Sequence, residues 1–198
     1  VPSEHFNTVL YTGDGNDNRS ITGVGFQPDW LWIKGRGFAN NHFLFDAVRG
    51  VSKFLKSDTY TAEGTSSGNR HLKSFDSNGF TLGVDNDVNY NHATGTFVAW
   101  NWKANGSGSS NTDGNMAETV TVSANTDAGF SIVTYTGDGS VATVGHGLSK
   151  APEMIIIKNR DASANWPIYH YKNTSAPETD YIKLDTEAAT ADNSTFWN

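Results

Sequence analysis

Apolar and polar residues alternate along this chain in short bursts, the pattern of strands with one face buried. Residues 6–12 (FNTVLYT) alternate with period two, then break at Thr12-Gly13-Asp14-Gly15, where both glycines suit positive φ. Residues 21–26 predict a short second strand. After Pro28, Trp30-Leu31-Trp32-Ile33-Lys34 sets two tryptophans on one face and Leu31 and Ile33 on the other. Both faces are apolar, which predicts a central strand covered on both sides. His42-Phe43-Leu44-Phe45-Asp46 predicts another strand. Residues 54–59 read as a turn followed by a strand, in preference to a short helix over 51–56. Further strands are predicted at 71–75, 80–83 and 118–123, and most strongly at 95–103 (GTFVAWNWK). Asp76-Ser77-Asn78-Gly79 predicts a hairpin turn. Residues 84–94 (VDNDVNYNHAT) predict a polar loop.

The pattern is stated twice. Phe6 matches Phe130, an offset of 124 residues that holds without a gap from 6–46 to 130–170. Thirteen positions are identical, among them Tyr11/Tyr135, Gly13/Gly137, Asp14/Asp138, Gly15/Gly139, Ile33/Ile157, Lys34/Lys158, Arg36/Arg160 and Asn41/Asn165. A repeat of this length implies tandem copies of one domain. The predicted fold is all-β: two tandem β-sandwich domains of jelly-roll or lectin-like type. The expected boundaries are a first sandwich at 1–104, a Gly/Ser/Asn linker at 105–117 (ANGSGSSNTDGN begins it at 104), and a second sandwich at 118–198. The second copy has no counterpart of residues 71–103, so it is expected to be incomplete. From that comes the expectation that the natural chain continues beyond Asn198. Val1 is not an initiator Met, which points the same way at the other end: to a processed or partial chain.

Composition narrows the functional classes. The net charge of −7 and the lack of a basic run argue against nucleic acid as partner. No stretch reaches the ~20 apolar residues of a membrane span. Zero Cys excludes disulfides and thiolate metal sites. Twenty Gly and 12% aromatics fit short strands joined by tight turns, not an α/β nucleotide-binding domain.

Several motifs occur together: FNTVLYTGDG, GVGFQPDWLWIKGR, FDAVRG, FDSNGFTLGVDNDVN and GTFVAWNWKANGSGSSNTDG. They recur in part as TVSANTDAGFSIVTYTGDG and TVGHGLSKAPEMIIIKNRD. This set resembles a repeated domain of uncharacterised function in large structural proteins of tailed bacteriophages, common in marine and cyanobacterial phages. The resemblance covers nearly the whole chain. It implies a virion protein of tail-fibre or adhesin-like type, with a lectin or jelly-roll sandwich, and it carries over no catalytic or ligand residue. The expected partners are other virion proteins, further copies of the chain, and a host-surface glycan, with no membrane insertion. The place of action would be the extracellular particle. A ligand-free decoration or spacer module is the alternative, and a carbohydrate-active hydrolase the less favoured one.

The sequence offers few catalytic candidates. It has no Gly-x-Ser-x-Gly, no phosphate loop and no His-Glu-x-x-His. The nearest approach to a glycosidase Glu-x-Asp-x-x-Glu is residues 178–183, which end in Lys183 and follow Pro177, so they read as an acidic turn. The chain is therefore expected not to be an enzyme and to need no cofactor. Asp14, Asp17, Asp85 and Asp87 crowd oxygen ligands and are weak calcium candidates, but calcium takes six or more oxygens and no later Glu completes either loop. If a glycan contact exists, Asp85, Asp87, Asn89, Tyr90 and His92 are its candidates, because polar groups beside an aromatic ring suit sugar recognition. The six tryptophans read as packing, since Trp30 and Trp32 become Met154 and Ile156 in the second copy. Lys34, Arg36, Lys158 and Arg160 are expected to pair with Asp14, Asp46 or their counterparts.

Overall fold

The computed structural model describes residues 1–197. Among the described residues its strands are antiparallel throughout, joined by turns, with one α-helix of four residues and two short 3-10 helices. In the first copy β1 (Phe6–Thr12), β2 (Arg19–Thr22), β3 (Trp30–Gly35), β4 (His42–Asp46), β5 (Lys53–Lys56) and β6 (Gly64–Thr65) precede β7 (Leu72–Asp76) and β8 (Gly79–Leu82). The helix α1 (Asn86–Asn89) and β9 (Thr96–Trp102) complete it. One sheet has the order β1-β9-β3-β4-β5-β6 and the other β2-β8-β7. The two close on one core: Leu31, Ile33, Phe43, Phe45, Phe97 and Ala99 from the larger sheet meet Ile21, Leu72, Phe80 and Leu82 from the smaller. This is a β-sandwich, with every named core side chain at most 6% exposed.

Alternation decides which face each residue takes. Along β3, Leu31 and Ile33 enter that core while Trp30 and Trp32 turn outward. The outer face is covered as well: Phe130 lies 5.8 Å from Trp30, and the buried Trp166 packs with Trp30 and Trp32. The aromatic stripe is thus a second packing layer, as its replacement by Met154 and Ile156 suggested.

The second half begins with β10 (Ser109–Asn111), β11 (Val120–Asn125) and β12 (Phe130–Thr134), a three-stranded sheet in that order. The segment 105–117 is therefore not a free linker. Gly108 at φ +75° lets the chain run against the Val122 carbonyl, and Ser109–Asn111 then pairs with Val120–Val122. Then β13 (Met154–Ile156), β14 (Pro167–His170), β15 (Asp180–Lys183) and β16 (Ala191–Asp192) form a four-stranded sheet in chain order.

This second sheet repeats β3 to β6 register for register. Trp30 faces Asp46 and Leu31 faces Phe45; Met154 faces His170 and Ile155 faces Tyr169, each shifted by the same 124 residues. Three extra residues enter between β14 and β15, so Lys183 opposite Pro167 answers to Lys56 opposite Phe43. The glycosidase-like stretch at 178–183 runs into β15 in this arrangement, so its last four residues are strand and not turn.

Several of the residues kept between the copies make the same bonds in both. Asp14 accepts the N–H of Asn16 and Asp138 that of Ser140. Lys34 Nζ donates to the Asn40 carbonyl and Lys158 Nζ to that of Ala164. Asp58 holds Asn41 and the His42 N–H, as Asp185 holds Asn165 and the Trp166 N–H. Lys34 and Lys158 therefore serve carbonyls, not the carboxylates expected from sequence. Asp14 pairs with Arg19, and Asp46 with Arg49.

Candidate functional site

The polar loop 84–94 leaves β8 and returns to β9 across the open end of the sandwich. Asp85 caps α1 by accepting the Asp87 N–H at 3.1 Å. Asn89 is fully buried. Its Nδ2 donates to the carbonyls of Asn16 and Gly83, both at 2.9 Å, while its Oδ1 accepts the Asp14 N–H at 3.0 Å. This one amide ties the Gly13-Asp14-Gly15 turn to the loop. The fit is close: a Cβ on Gly13 would lie 2.5 Å from the Tyr90 carbonyl oxygen, so only glycine can sit there.

The loop thus divides the five residues singled out from sequence. Asn89 is enclosed, with its polar atoms engaged inside the protein. Tyr90 and His92 stack with ring centres 5.3 Å apart, and Tyr90 also packs on Phe38. His92 Nδ1 shares a hydrogen bond with Thr94 Oγ1. Asp85 and Asp87 turn instead to His71, which the sequence did not offer because it lies fourteen or more residues earlier, just before β7. His71 Nε2 lies 3.6 Å from Asp85 Oδ1 and 3.5 Å from Asp87 Oδ2.

His71 is held firmly in that pose. Its side chain is 10% exposed, packed among Phe43, Phe45 and Phe54, and its Nδ1 shares a hydrogen bond of 2.9 Å with Ser66 Oγ. One nitrogen fixed by a hydroxyl, with the other aimed at carboxylates, is how proteins orient a metal-ligating histidine. The three ligand atoms lie within 4.8 Å of one another, and among the described residues they form the only such group. A nitrogen ligand favours a transition ion over calcium, which would find two carboxylates where it needs six or more oxygens. When His71 is protonated, the same three groups form an ion pair. Asp14 and Asp17 stay apart from this cluster, paired with Arg19 at 3.2 Å and Lys73 at 2.8 Å.

A second polar centre joins the two copies. Glu63, its side chain 9% exposed, receives Arg49 from the first copy at 3.2 Å and both Nε and Nη2 of Arg160 from the second, at 2.8 and 3.0 Å. Burial works to raise the Glu63 carboxyl, but the hydrogen bonds from Arg160 and Arg49 outweigh it and hold the carboxyl below its ordinary value. Beside it, Trp166 is 4% exposed among Trp30, Trp32, Leu44 and Leu55 and donates to the carbonyls of Lys56 and Thr59. Sequence could not reveal this seam, because Glu63 and Trp166 stand at positions where the copies differ.

One family model, described as a domain of unknown function (DUF7483), matches residues 1–198. The chain belongs to that family. No curated protein and no solved structure matches it. The DUF7483 match spans both copies of the repeat. It therefore includes the closed sandwich, the seam at Glu63 and the four-stranded meander alike.

Proposed function

We propose that this DUF7483 chain is a non-enzymatic structural component of a bacteriophage particle, a tail fibre or surface protein built from tandem sandwiches of jelly-roll or lectin-like type. The observation that carries the reading is the in-register replay of β3 to β6 by β13 to β16. Of the side chains kept between the copies, Asp14/Asp138, Lys34/Lys158 and Asn41/Asn165 serve that scaffold in the same way in both. What repetition preserves here is architecture, as expected of modules that extend or decorate a surface. The seam through Glu63 and Trp166 is the kind of fixed joint such an array needs. The phage resemblance of the sequence motifs supplies the setting.

Within that role, the stacked Tyr90 and His92, on the same loop as Asp85 and Asp87, are the groups that suit a host glycan. Aromatic faces flanked by hydrogen-bonding side chains are what sugar binding requires. Purified particles are the test of location: antibody labelling should decorate them at a defined tail or surface position, and absence of the protein from intact particles would refute the reading. A glycan array should show hits for the wild-type chain that Tyr90→Ala removes. No hits would leave the spacer or decoration module as the role, and sugar release from host polysaccharide would replace both with a hydrolase.

A further inference from the structure

In the first copy a single strand, β9, lies between β1 and β3 and joins them into one sheet. Its pairing is continuous on both sides: Val98 faces Leu10 on β1 and Lys34 on β3, and Phe97 faces Tyr11 and Gly35. In the second copy β12 stands for β1 and β13 for β3. Among the described residues β12 pairs only with β11, and β13 only with β14. The sheet of the first copy is thus split in the second at the place that β9 occupies. Both flanking strands turn unpaired backbone edges to that place, and such edges are templates for a further strand.

The side chains at the split agree. Leu31, Ile33, Phe43 and Phe45 of the first copy are 0 to 1% exposed, whereas their counterparts Ile155, Ile157, Pro167 and Tyr169 are all half-buried. A cavity of about 420 Å³ opens there, lined by Tyr135, Ile157, Pro167 and Tyr181. Those four answer to Tyr11, Ile33, Phe43 and Phe54, which belong to the closed core of the first copy or pack against it. The cavity lies where the core would be. The glycines point the same way. Gly13 is held to glycine by the Tyr90 backbone, while its identical partner Gly137 has nothing within 4 Å of a Cβ.

We infer that the gap between β12 and β13 is a strand-accepting site. Its occupant is an extended segment with the chemistry of Thr96–Trp102, alternating apolar and aromatic residues, supplied from outside residues 1–198. Added there, the strand would be continuous with both existing sheets, giving the order β10-β11-β12-strand-β13-β14-β15-β16. A large inward side chain in the place of Phe97 would fill the cavity beside Tyr135, as Phe97 stacks on Tyr11 at 5.0 Å. The recognition is β-augmentation: main-chain hydrogen bonds give affinity and the alternate side chains give specificity. This inference stands apart from the particle assignment, because it uses only the chain's own two copies.

The test adds a synthetic peptide of residues 95–103 to the 198-residue protein and follows backbone amide exchange. One peptide per chain should bind and slow exchange by roughly tenfold or more at 131–135 and 154–157. The same amides should stay unprotected with a shuffled peptide, and with a Val98→Pro, Trp100→Pro peptide that lacks the donors. Altering the peptide leaves the protein's own folding untouched. Equal protection by the shuffled peptide, or no protection by any, overturns the site. Protection confined to 6–12 and 30–35 would mean exchange with β9 of the first copy and also overturns it. Protection at 131–135 and 154–157 that appears with protein concentration alone, alongside dimers, would make a second copy the occupant and overturn the assignment made here.

Discussion

The two copies start from one pattern and end in different states. Residues 30–65 and 154–192 fold into the same four-stranded meander, with the same cross-strand partners and the same Asp-to-Asn clamp at its edge. In the first copy, residues 71–102 then add two strands of the second sheet, beside β2, and an interior strand of the first, and the apolar face becomes a core. In the second, that face remains half-covered. The difference separates two layers of information in the sequence. Local alternation and a few polar clamps suffice to set strands and register, whereas burial depends on segments far along the chain. Long-range strand pairing is also the entropically costly part of folding a sheet.

Matched substitutions should expose this difference most strongly. Leu31→Ala removes a fully buried side chain and should cost about 3–4 kcal/mol of stability in urea unfolding. The counterpart Ile155→Ala removes one already half in water and should cost about 1 kcal/mol. Equal losses would mean that the second copy is as closed as the first.

The seam should come next. Glu63→Gln leaves the buried Arg49 with less compensation and frees Arg160, for a cost of about 3 kcal/mol. The damage should fall between the copies: proteolysis should release the second half while the first sandwich persists. The pH dependence has a definite sign. The carboxyl is held below its ordinary 4.5, so its contribution is fully present above that value and is lost as pH falls through the lower folded value. In Glu63→Gln that acid-dependent loss should be absent.

Asn89→Ala sharpens the comparison at the Gly-Asp-Gly turn. It strands the N–H of Asp14 and the carbonyls of Asn16 and Gly83, for about 2 kcal/mol. Amide exchange at 13–16 should quicken, while the equivalent turn at 137–140, which has no such partner among the described residues, should not change.

The smallest effect concerns His42 and its counterpart Trp166. His42 Nδ1 accepts the Trp32 indole N–H at 3.0 Å. Burial lowers the His42 pKa from 6.5, Asp58 opposes that and Lys34 adds to it, with a net lowering. The unfolded chain therefore takes up the proton first, so stability is fullest above about 6.5 and declines as pH falls through the folded value. A shift of Trp32 emission with that titration should vanish in His42→Asn. The clamp around Trp166 carries no imidazole and should be unmoved.

Much of this was legible before the structure. Strands at 6–12, 30–34 and 42–46 followed from alternation, and the ungapped repeat anticipated the shared register. The expectation of a free linker failed because Ser109–Asn111 has weak strand propensity of its own and pairs only because Val120–Val122 lies beside it. The expected central position of the repeated strand holds for β3 but not β13, an edge, since centrality comes from β9 and not from the strand itself. The glycan candidates formed one cluster in sequence and three environments in space. His71 was missed because its link to Asp85 and Asp87 exists only across the β7–β8 hairpin. Arg160 was expected to stay within its own copy, and its Glu63 partner has no equivalent at the aligned position.

The central claim is that the second copy is the first copy's meander left open where β9 would lie. Hydrogen exchange on the unmodified chain tests it most directly, because each amide reports its own protection. The account predicts that amides of 30–35 exchange at the rate of global unfolding, while those of 154–157 exchange orders of magnitude faster. Meander amides shared between β14 and β15 should fall between. Protection at 154–157 equal to that at 30–35, in dilute protein without any added strand, would contradict it.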